Sequence, residues 1–178
     1  MEKDYLYLLE YDFNVVSFYP QPEVMKLEVE GRSVKHIPDF LVEYSDGHYE
    51  LVEVKYRKQA KKQKYRNVAR AAKRAAWERG INYRLLTEYS IRKQPLLRNC
   101  QSLFSYRERE LSDVSSMAVR HALPSCPISL GDVCRLVDCN YYMGLAIIAN
   151  RILKTDLSEE INSETLVIVN WENHNDYL

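Results

Sequence analysis

The chain has 178 residues, 46% of them apolar and 28% charged, which excludes wholesale disorder and fits one average domain, or one of about 110 residues with a smaller one of about 70. Its 25 basic residues balance 25 acidic ones, and its longest uncharged apolar stretch, Asn140 to Asn150, is far short of the ~20 residues a membrane span needs. The acidic start MEKDYLYLLE lacks the positive region of a signal peptide, so a cytoplasmic protein with four reduced cysteines and no membrane partner is expected.

Residues 2–11 read as a short helix, with Leu6, Leu9 and Phe13 at three- and four-residue spacing. The pattern then turns to strands. Residues 15–22 are rich in β-branched and aromatic side chains and stop at Pro20 and Pro22; residues 23–31 alternate; residues 34–44 and 48–56 follow as two more strands. Asp46-Gly47 joins the last two as a hairpin. Residues 58–80 read as one basic helix closed by Gly80, with Tyr65, Val68, Ala69, Ala72, Ala76 and Trp77 as its buried stripe. Residues 81–88 return to a strand, which makes the order αβββ(β)αβ. Beyond Ser90 the composition changes. Residues 91–121 look helical but poorly amphipathic, Pro124 to Pro127 mark a break, and helices are expected over 129–139 and 140–154, then a short hairpin over 155–170. Two helices and a hairpin suit a small winged-helix module. The expected domains are therefore 1–90 and 91–178.

The neutral total hides a strong polarity along the chain. Residues 1–54 carry 12 acidic and 4 basic side chains, residues 55–93 carry 14 basic and 2 acidic, residues 94–154 carry 7 basic and 5 acidic, and residues 155–178 carry 6 acidic and none basic. A basic block that begins where a carboxylate-rich block ends points to a polyanion approaching a carboxylate-lined site. A solvated helix face, balanced in space by the acidic segments, gives the same pattern.

The segment that carries chemistry is His36-Ile37-Pro38-Asp39-Phe40 with Glu53-Val54-Lys55, 13 residues lying between Asp39 and Glu53. Positions i and i+2 of a strand point to one side, so Glu53 and Lys55 share a face, and the hairpin can bring Asp39 opposite them. Phosphodiester hydrolysis uses such a set. Carboxylates bind Mg²⁺, a hard cation that prefers oxygen. The metal polarises the phosphoryl oxygen and acidifies a bound water. A lysine orients that water and stabilises the developing charge. Asp39, Glu53 and the Val54 carbonyl are the expected ligands of Mg²⁺, with Mn²⁺ as a substitute. A plain surface hairpin with one Glu–Lys pair uses the same residue types. Pro38 before the Asp, the β-type runs, the Asp-Gly turn and the basic helix favour the nuclease.

On these residues PDF…ELVEVK resembles the PD-(D/E)xK nuclease superfamily, whose members share a restriction-endonuclease-like αβββαβ core. More narrowly, LEYDFNVVSFYPQPEV and HIPDFLVEYSDGHYELVEVK are similar to the TnsA family of transposon endonucleases, through Gln21-Pro22, Pro38-Asp39-Phe40 and Glu53-Val54-Lys55, over roughly residues 2–90. The resemblance implies a further glutamate on the first helix, about two turns ahead of Leu9-Glu10; eight residues back from Glu10 stands Glu2. The implied catalytic set is Glu2, Asp39, Glu53 and Lys55, and the implied metal set Glu2, Asp39, Glu53 and Val54. The implied fold class is α/β, with that core and a small C-terminal winged-helix-like helical domain. The implied function is metal-dependent cleavage of one DNA strand at transposon ends. The implied partners are a TnsB-like DDE transposase that cuts the other strand and a TnsC-like ATPase that binds the C-terminal domain. Two other readings remain open: a restriction or phage-type nuclease acting without a transposase, and a catalytically inactive nuclease fold kept as a binding subunit.

Lys58, Lys61, Lys62, Arg66 and Arg70, with Lys64, Lys73 and Arg74, cannot all face a core and are the expected contacts to the DNA backbone. No base-reading pattern is visible. His36 reads more readily as a structural hydrogen-bond donor than as a phosphate contact. His121, Cys126, Cys134 and Cys139 do not have the short spacings of common zinc sites. Glu159, Glu160, Glu164, Glu172 and Asp176 make an acidic tail that fits a protein-binding surface better than a DNA-binding one.

Overall fold

The structure, a computed structural model, describes residues 1–107 and 116–171. The chain divides into two compact units, Met1–Lys93 and Gln94–Leu178.

In the first unit the elements run α1 (Glu2–Tyr11), β1 (Val15–Pro20), β2 (Met25–Val29), β3 (Arg32–His36), β4 (Phe40–Tyr44), β5 (Tyr49–Val54), α2 (Arg57–Ala60), α3 (Gln63–Trp77), β6 (Asn82–Leu86) and α4 (Glu88–Ile91). A four-stranded sheet has the order β1-β4-β5-β6. Its first two pairings are antiparallel, and β5–β6 is parallel. A parallel pair needs a crossover, and α3 provides it. β2 and β3 form a hairpin of their own. With that hairpin set aside the order is αβββαβ, and the mixed sheet flanked by helices fits an α/β nuclease-like fold.

The expectation of one strand over residues 34–44 is corrected. Pro38 has no N–H for a ladder and holds Ile37 away from helical geometry. The chain leaves the β2 ladder at His36 and enters the main sheet at Phe40, opposite Pro20 and Val52. Asp39 therefore stands at the mouth of β4. The hairpin between β4 and β5 closes at Gly47, whose φ of 84° is relaxed only without a Cβ; the Gly47 N–H donates to the Tyr44 carbonyl at 2.9 Å.

β5 is buried on both faces, as a central strand should be. Val52 and Val54 join Phe40, Val42, Tyr5, Leu9, Val15 and Ile91 in one core. Leu51 joins Met25, Leu27, Ala71, Ala72 and Ala76 in the other. The period of two thus sends Glu53 to the side of α3 and the β2–β3 hairpin.

The single helix expected over residues 58–80 is two. Lys62 takes an extended conformation between α2 and α3. The buried stripe of α3 is made of alanines, which let it lie close to the sheet. Trp77, expected inside, is 76% exposed, and Tyr65 is also exposed. Trp77 follows buried Ala76 by one residue, about 100° around the helix. Gly80, with φ 72°, ends this helix, and the Ile81 N–H reaches back to the Ala76 carbonyl at 3.0 Å.

The second unit contains α5 (Leu96–Phe104), α6 (Ser116–Ala122), β7 (Ile128–Ser129), α7 (Leu130–Leu136), α8 (Tyr141–Ala149), β8 (Leu153–Lys154) and β9 (Leu166–Val169). β9 is the centre of a small antiparallel sheet, β7-β9-β8. Ser129 caps α7 by accepting the Asp132 N–H, and Asn140 caps α8 by accepting that of Met143. α5 buries Leu97, Cys100 and Leu103 at three-residue steps, so it is amphipathic where weak patterning was expected. The hairpin expected over 155–170 starts earlier, at Leu153, and has a long loop. Asn99 holds that loop by donating its amide to the carbonyls of Leu157 and Glu159 at 2.9 and 2.6 Å. Residues 108–115 of the expected 91–121 helical region, and Glu172 and Asp176 of the acidic tail, lie outside the described residues. Among the described residues no helix is long and apolar enough to cross a membrane, and the four cysteines are free thiols.

Met25, 1% exposed, pins the β2–β3 hairpin into the core beneath α3. Met25→Ala is expected to lower stability by about 2–5 kcal/mol, measured by urea denaturation of the full chain. A loss under about 1 kcal/mol would mean that the hairpin is not anchored there.

Candidate active site

Asp39 is fixed through both backbone and side chain. Its carbonyl accepts the Gln21 N–H at 2.9 Å, and its Oδ2 accepts the Val54 N–H at 2.6 Å. Gln21 has a φ of 46°, in the left-handed region, so the Gln21-Pro22 element turns sharply beside the start of β4. Glu53 follows on β5 and Lys55 just beyond its end, two residues apart and on one face. Lys55 Nζ lies 2.8 Å from Glu53 Oε1 and 3.7 Å from Asp39 Oδ2. The structure thus brings together three of the four expected catalytic residues, with the ammonium between two carboxylates.

The side chains of Glu53, Asp39 and Lys55 are 8%, 15% and 25% exposed. Burial pushes the Glu53 carboxyl above the ordinary glutamate range; the Lys55 hydrogen bond opposes this, while the charges of Asp39 and Glu2 add to it. Burial alone favours a neutral Lys55, but its hydrogen bond to Glu53 and the charges of Glu53, Asp39 and Glu2 prevail and raise its pKa. Lys55 is therefore a stable cation.

Glu50, three residues before Glu53, falls on the opposite face. It pairs with Arg84 Nε at 3.0 Å and accepts the Tyr44 hydroxyl at 3.3 Å. Of the two buried glutamates of β5, only Glu53 faces Lys55.

A cavity of about 260 Å³ opens beside Glu53 and Lys55, walled by His36, Lys64, Tyr65 and Tyr83 among others. His36 Nε2 faces Glu53 Oε2 at 3.3 Å. These two atoms and the Tyr83 hydroxyl are buried without a hydrogen bond. Burial lowers the His36 pKa, the Lys55 charge adds to this, and Asp39 opposes it. Burial and the charges of Glu53 and Asp39 raise that of Tyr83. Tyr83 lies on β6 opposite Leu51. No local motif marks it, and only the parallel register brings it to the site.

Glu2 is exposed in the first turn of α1. Its charge reaches Glu53 and Lys55. Among the described residues, however, no group of three or more His, Cys, Asp or Glu side chains is gathered so as to hold a metal ion. Asp39 and Glu53 still offer hard oxygen donors, and Glu53 Oε2 is buried without a hydrogen bond, so the donor set suits Mg²⁺.

Lys58, Lys61, Lys62 and Arg66 are exposed on α2, the link after it and the start of α3. Arg70 is exposed too, but with Asn67 and Arg74 it lines a groove against Glu28 and Glu30 of the hairpin. Asn67 Nδ2 donates to Glu30 Oε1 at 2.6 Å. The basic block is thus partly neutralised at its far end and open at the end near Lys55.

Residues 12–88 match the family model of the TnsA-like endonuclease N-terminal domain. The match takes in Gln21-Pro22, Asp39, Glu53, Lys55 and α3, and begins after α1, so it does not reach Glu2. No curated protein matches the chain.

The raised carboxyl pKa of Glu53 means that the folded state holds this proton more tightly than the unfolded state. Its contribution to stability is complete below the ordinary value of 4.5 and is lost as pH rises through the folded value. Glu53→Gln removes that loss. Relative to the wild type, its urea midpoint is expected to rise with pH above the ordinary glutamate range. A difference that stays constant between pH ~4 and ~7 contradicts this.

Proposed function

We propose, from the match of residues 12–88 to the TnsA-like endonuclease N-terminal domain, that this protein cuts one DNA strand at each end of a transposon, alongside a DDE-type transposase and an ATPase regulator. The observation that carries the reading is the Lys55 ammonium, 2.8 Å from Glu53 and 3.7 Å from Asp39, at the head of an exposed basic segment.

Asp39, Glu53 and the Val54 carbonyl would hold Mg²⁺ or Mn²⁺, with Glu2 approaching from α1. The ion, when bound, supplies Lewis acidity at the phosphate and lowers the pKa of a bound water. Lys55 stays charged, so it acts as a hydrogen-bond donor that orients the attacking water and offsets charge on the phosphate, not as a proton acceptor. The Val54 N–H keeps Asp39 in place as the strand passes. Lys58, Lys61, Lys62 and Arg66 receive the DNA backbone. Arg70 contributes less, because Glu28 and Glu30 share its groove. Phosphate contacts of this kind position a duplex without reading its sequence.

The order α6-β7-α7-α8-β8-β9, with β9 central, supports a winged-helix-like reading of the second unit, which would bind the ATPase. One observation favours a second reading, a nuclease fold kept as a binding subunit: Glu2 is not gathered with Asp39 and Glu53 into a ligand cluster among the described residues.

In a cleavage assay with the transposase and ATPase present, Asp39→Ala and Lys55→Ala are expected to abolish the single-strand cut while circular dichroism shows an intact fold. Cleavage retained by either variant excludes the assignment, and a wild type that is inert with all partners favours the binding subunit. Replacing Lys58, Lys61 and Lys62 together by Ala is expected to reduce the slope of log K against log salt by roughly 2–3 for duplex DNA. An unchanged slope means that these lysines do not meet phosphates.

A further inference from the structure

Glu53 has two carboxylate oxygens, and each faces a different element. Oε1 meets Lys55 Nζ at 2.8 Å, while Oε2 faces His36 Nε2 at 3.3 Å. Both atoms of the second pair are buried and neither has a hydrogen bond. A buried polar atom left in this state bears its full desolvation penalty.

The position of His36 is set by construction. It is the last residue of β3 and stands opposite Met25 in the β2–β3 ladder. Met25 and Leu27 are buried among Leu51, Ala72 and Ala76. The hairpin stands outside the four-stranded sheet. The chain turns away at Pro38 directly afterwards. The imidazole is therefore brought to Glu53 by a separately anchored element, not by the strand that carries Asp39.

We propose that His36 is a positioning residue for Glu53: its Nε2–H donates to Oε2, and together with Lys55 on Oε1 it fixes the plane of the carboxylate for a metal ion. This rests on the nuclease reading of the site. At 3.3 Å the pair is within donor–acceptor reach, and a small turn of the ring with slight closure aligns the N–H within the ~2.7–3.2 Å range of an N–H···O bond. Each carboxylate oxygen has two lone pairs, so both donors can bind and leave acceptor capacity for a cation. A glutamate held at one oxygen only is free to rotate about its terminal torsion. Hydrogen-bond partners of metal ligands remove that freedom, and their loss weakens metal binding about 10- to 100-fold.

The test uses the full chain without DNA. Mn²⁺ is titrated calorimetrically into the wild type, His36→Ala and His36→Gln, and ¹⁵N resonances of the His36 ring report which nitrogen bears hydrogen. The wild type is expected to bind Mn²⁺ and to have a proton on Nε2. His36→Ala is expected to bind about tenfold more weakly or worse. His36→Gln, whose amide N–H reaches the same oxygen, is expected to recover most of the affinity, with the two variants equal in urea midpoint. Glu53→Gln is expected to shift the Nε2 resonance. Wild-type affinity in His36→Ala, or an Nε2 without a proton, overturns the positioning role and leaves the nuclease reading standing. A wild type that binds no Mn²⁺ overturns the nuclease reading itself, and the positioning role with it. If His36→Ala does not fold, His36→Gln and the ring resonances decide.

Discussion

Two carboxylates that converge in a half-buried pocket repel each other, and the Lys55 ammonium between Asp39 and Glu53 makes their approach tolerable. Much of the first unit serves this arrangement. Burial alone would drive Glu53 towards its neutral acid and Lys55 towards its neutral amine. Their hydrogen bond opposes both tendencies. The result is a compact set of charges in which each group's ionisation depends on its neighbours.

Three separate elements hold that set in place. β5 is buried on both faces and supplies Glu53 and, just beyond its end, Lys55. Asp39 lies on the adjacent strand's threshold, tied by the Val54 N–H on one side and the Gln21 N–H on the other. The β2–β3 hairpin adds His36 from outside the main sheet. β4 and β5 share one apolar core, and β5 and the hairpin share the other, so the site stands where packed elements meet. This suits chemistry in which charges must be in position before the reaction.

Charge is divided along the chain to match. The site carboxylates lie at the mouth of β4 and on β5, and the basic residues on α2, α3 and the link between them, so the exposed basic surface begins where the carboxylates end. The hairpin's Glu28 and Glu30 temper the far end of α3 and leave the near end open. α3 also carries alanines inward because it crosses a sheet at close range, which is why its aromatics, Tyr65 and Trp77, are found outside.

The sequence alone determined the local features: helix α1, the Asp46-Gly47 turn, the shared face of Glu53 and Lys55, the Ser129 cap and the polarity of charge. These rest on interactions within a few residues, or on the period of two, and so are legible in one dimension. The resemblance to TnsA-like endonucleases was legible for the same reason, since Gln21-Pro22, Pro38-Asp39-Phe40 and Glu53-Val54-Lys55 are contiguous. Only the tertiary structure decided that residues 34–44 split at Pro38 between two sheets and that His36 and Tyr83 arrive beside Glu53. Each of these depends on register between strands distant in sequence. A one-residue slip in β5 or β6 reverses every side chain, and a periodic pattern cannot say which partner a strand will find.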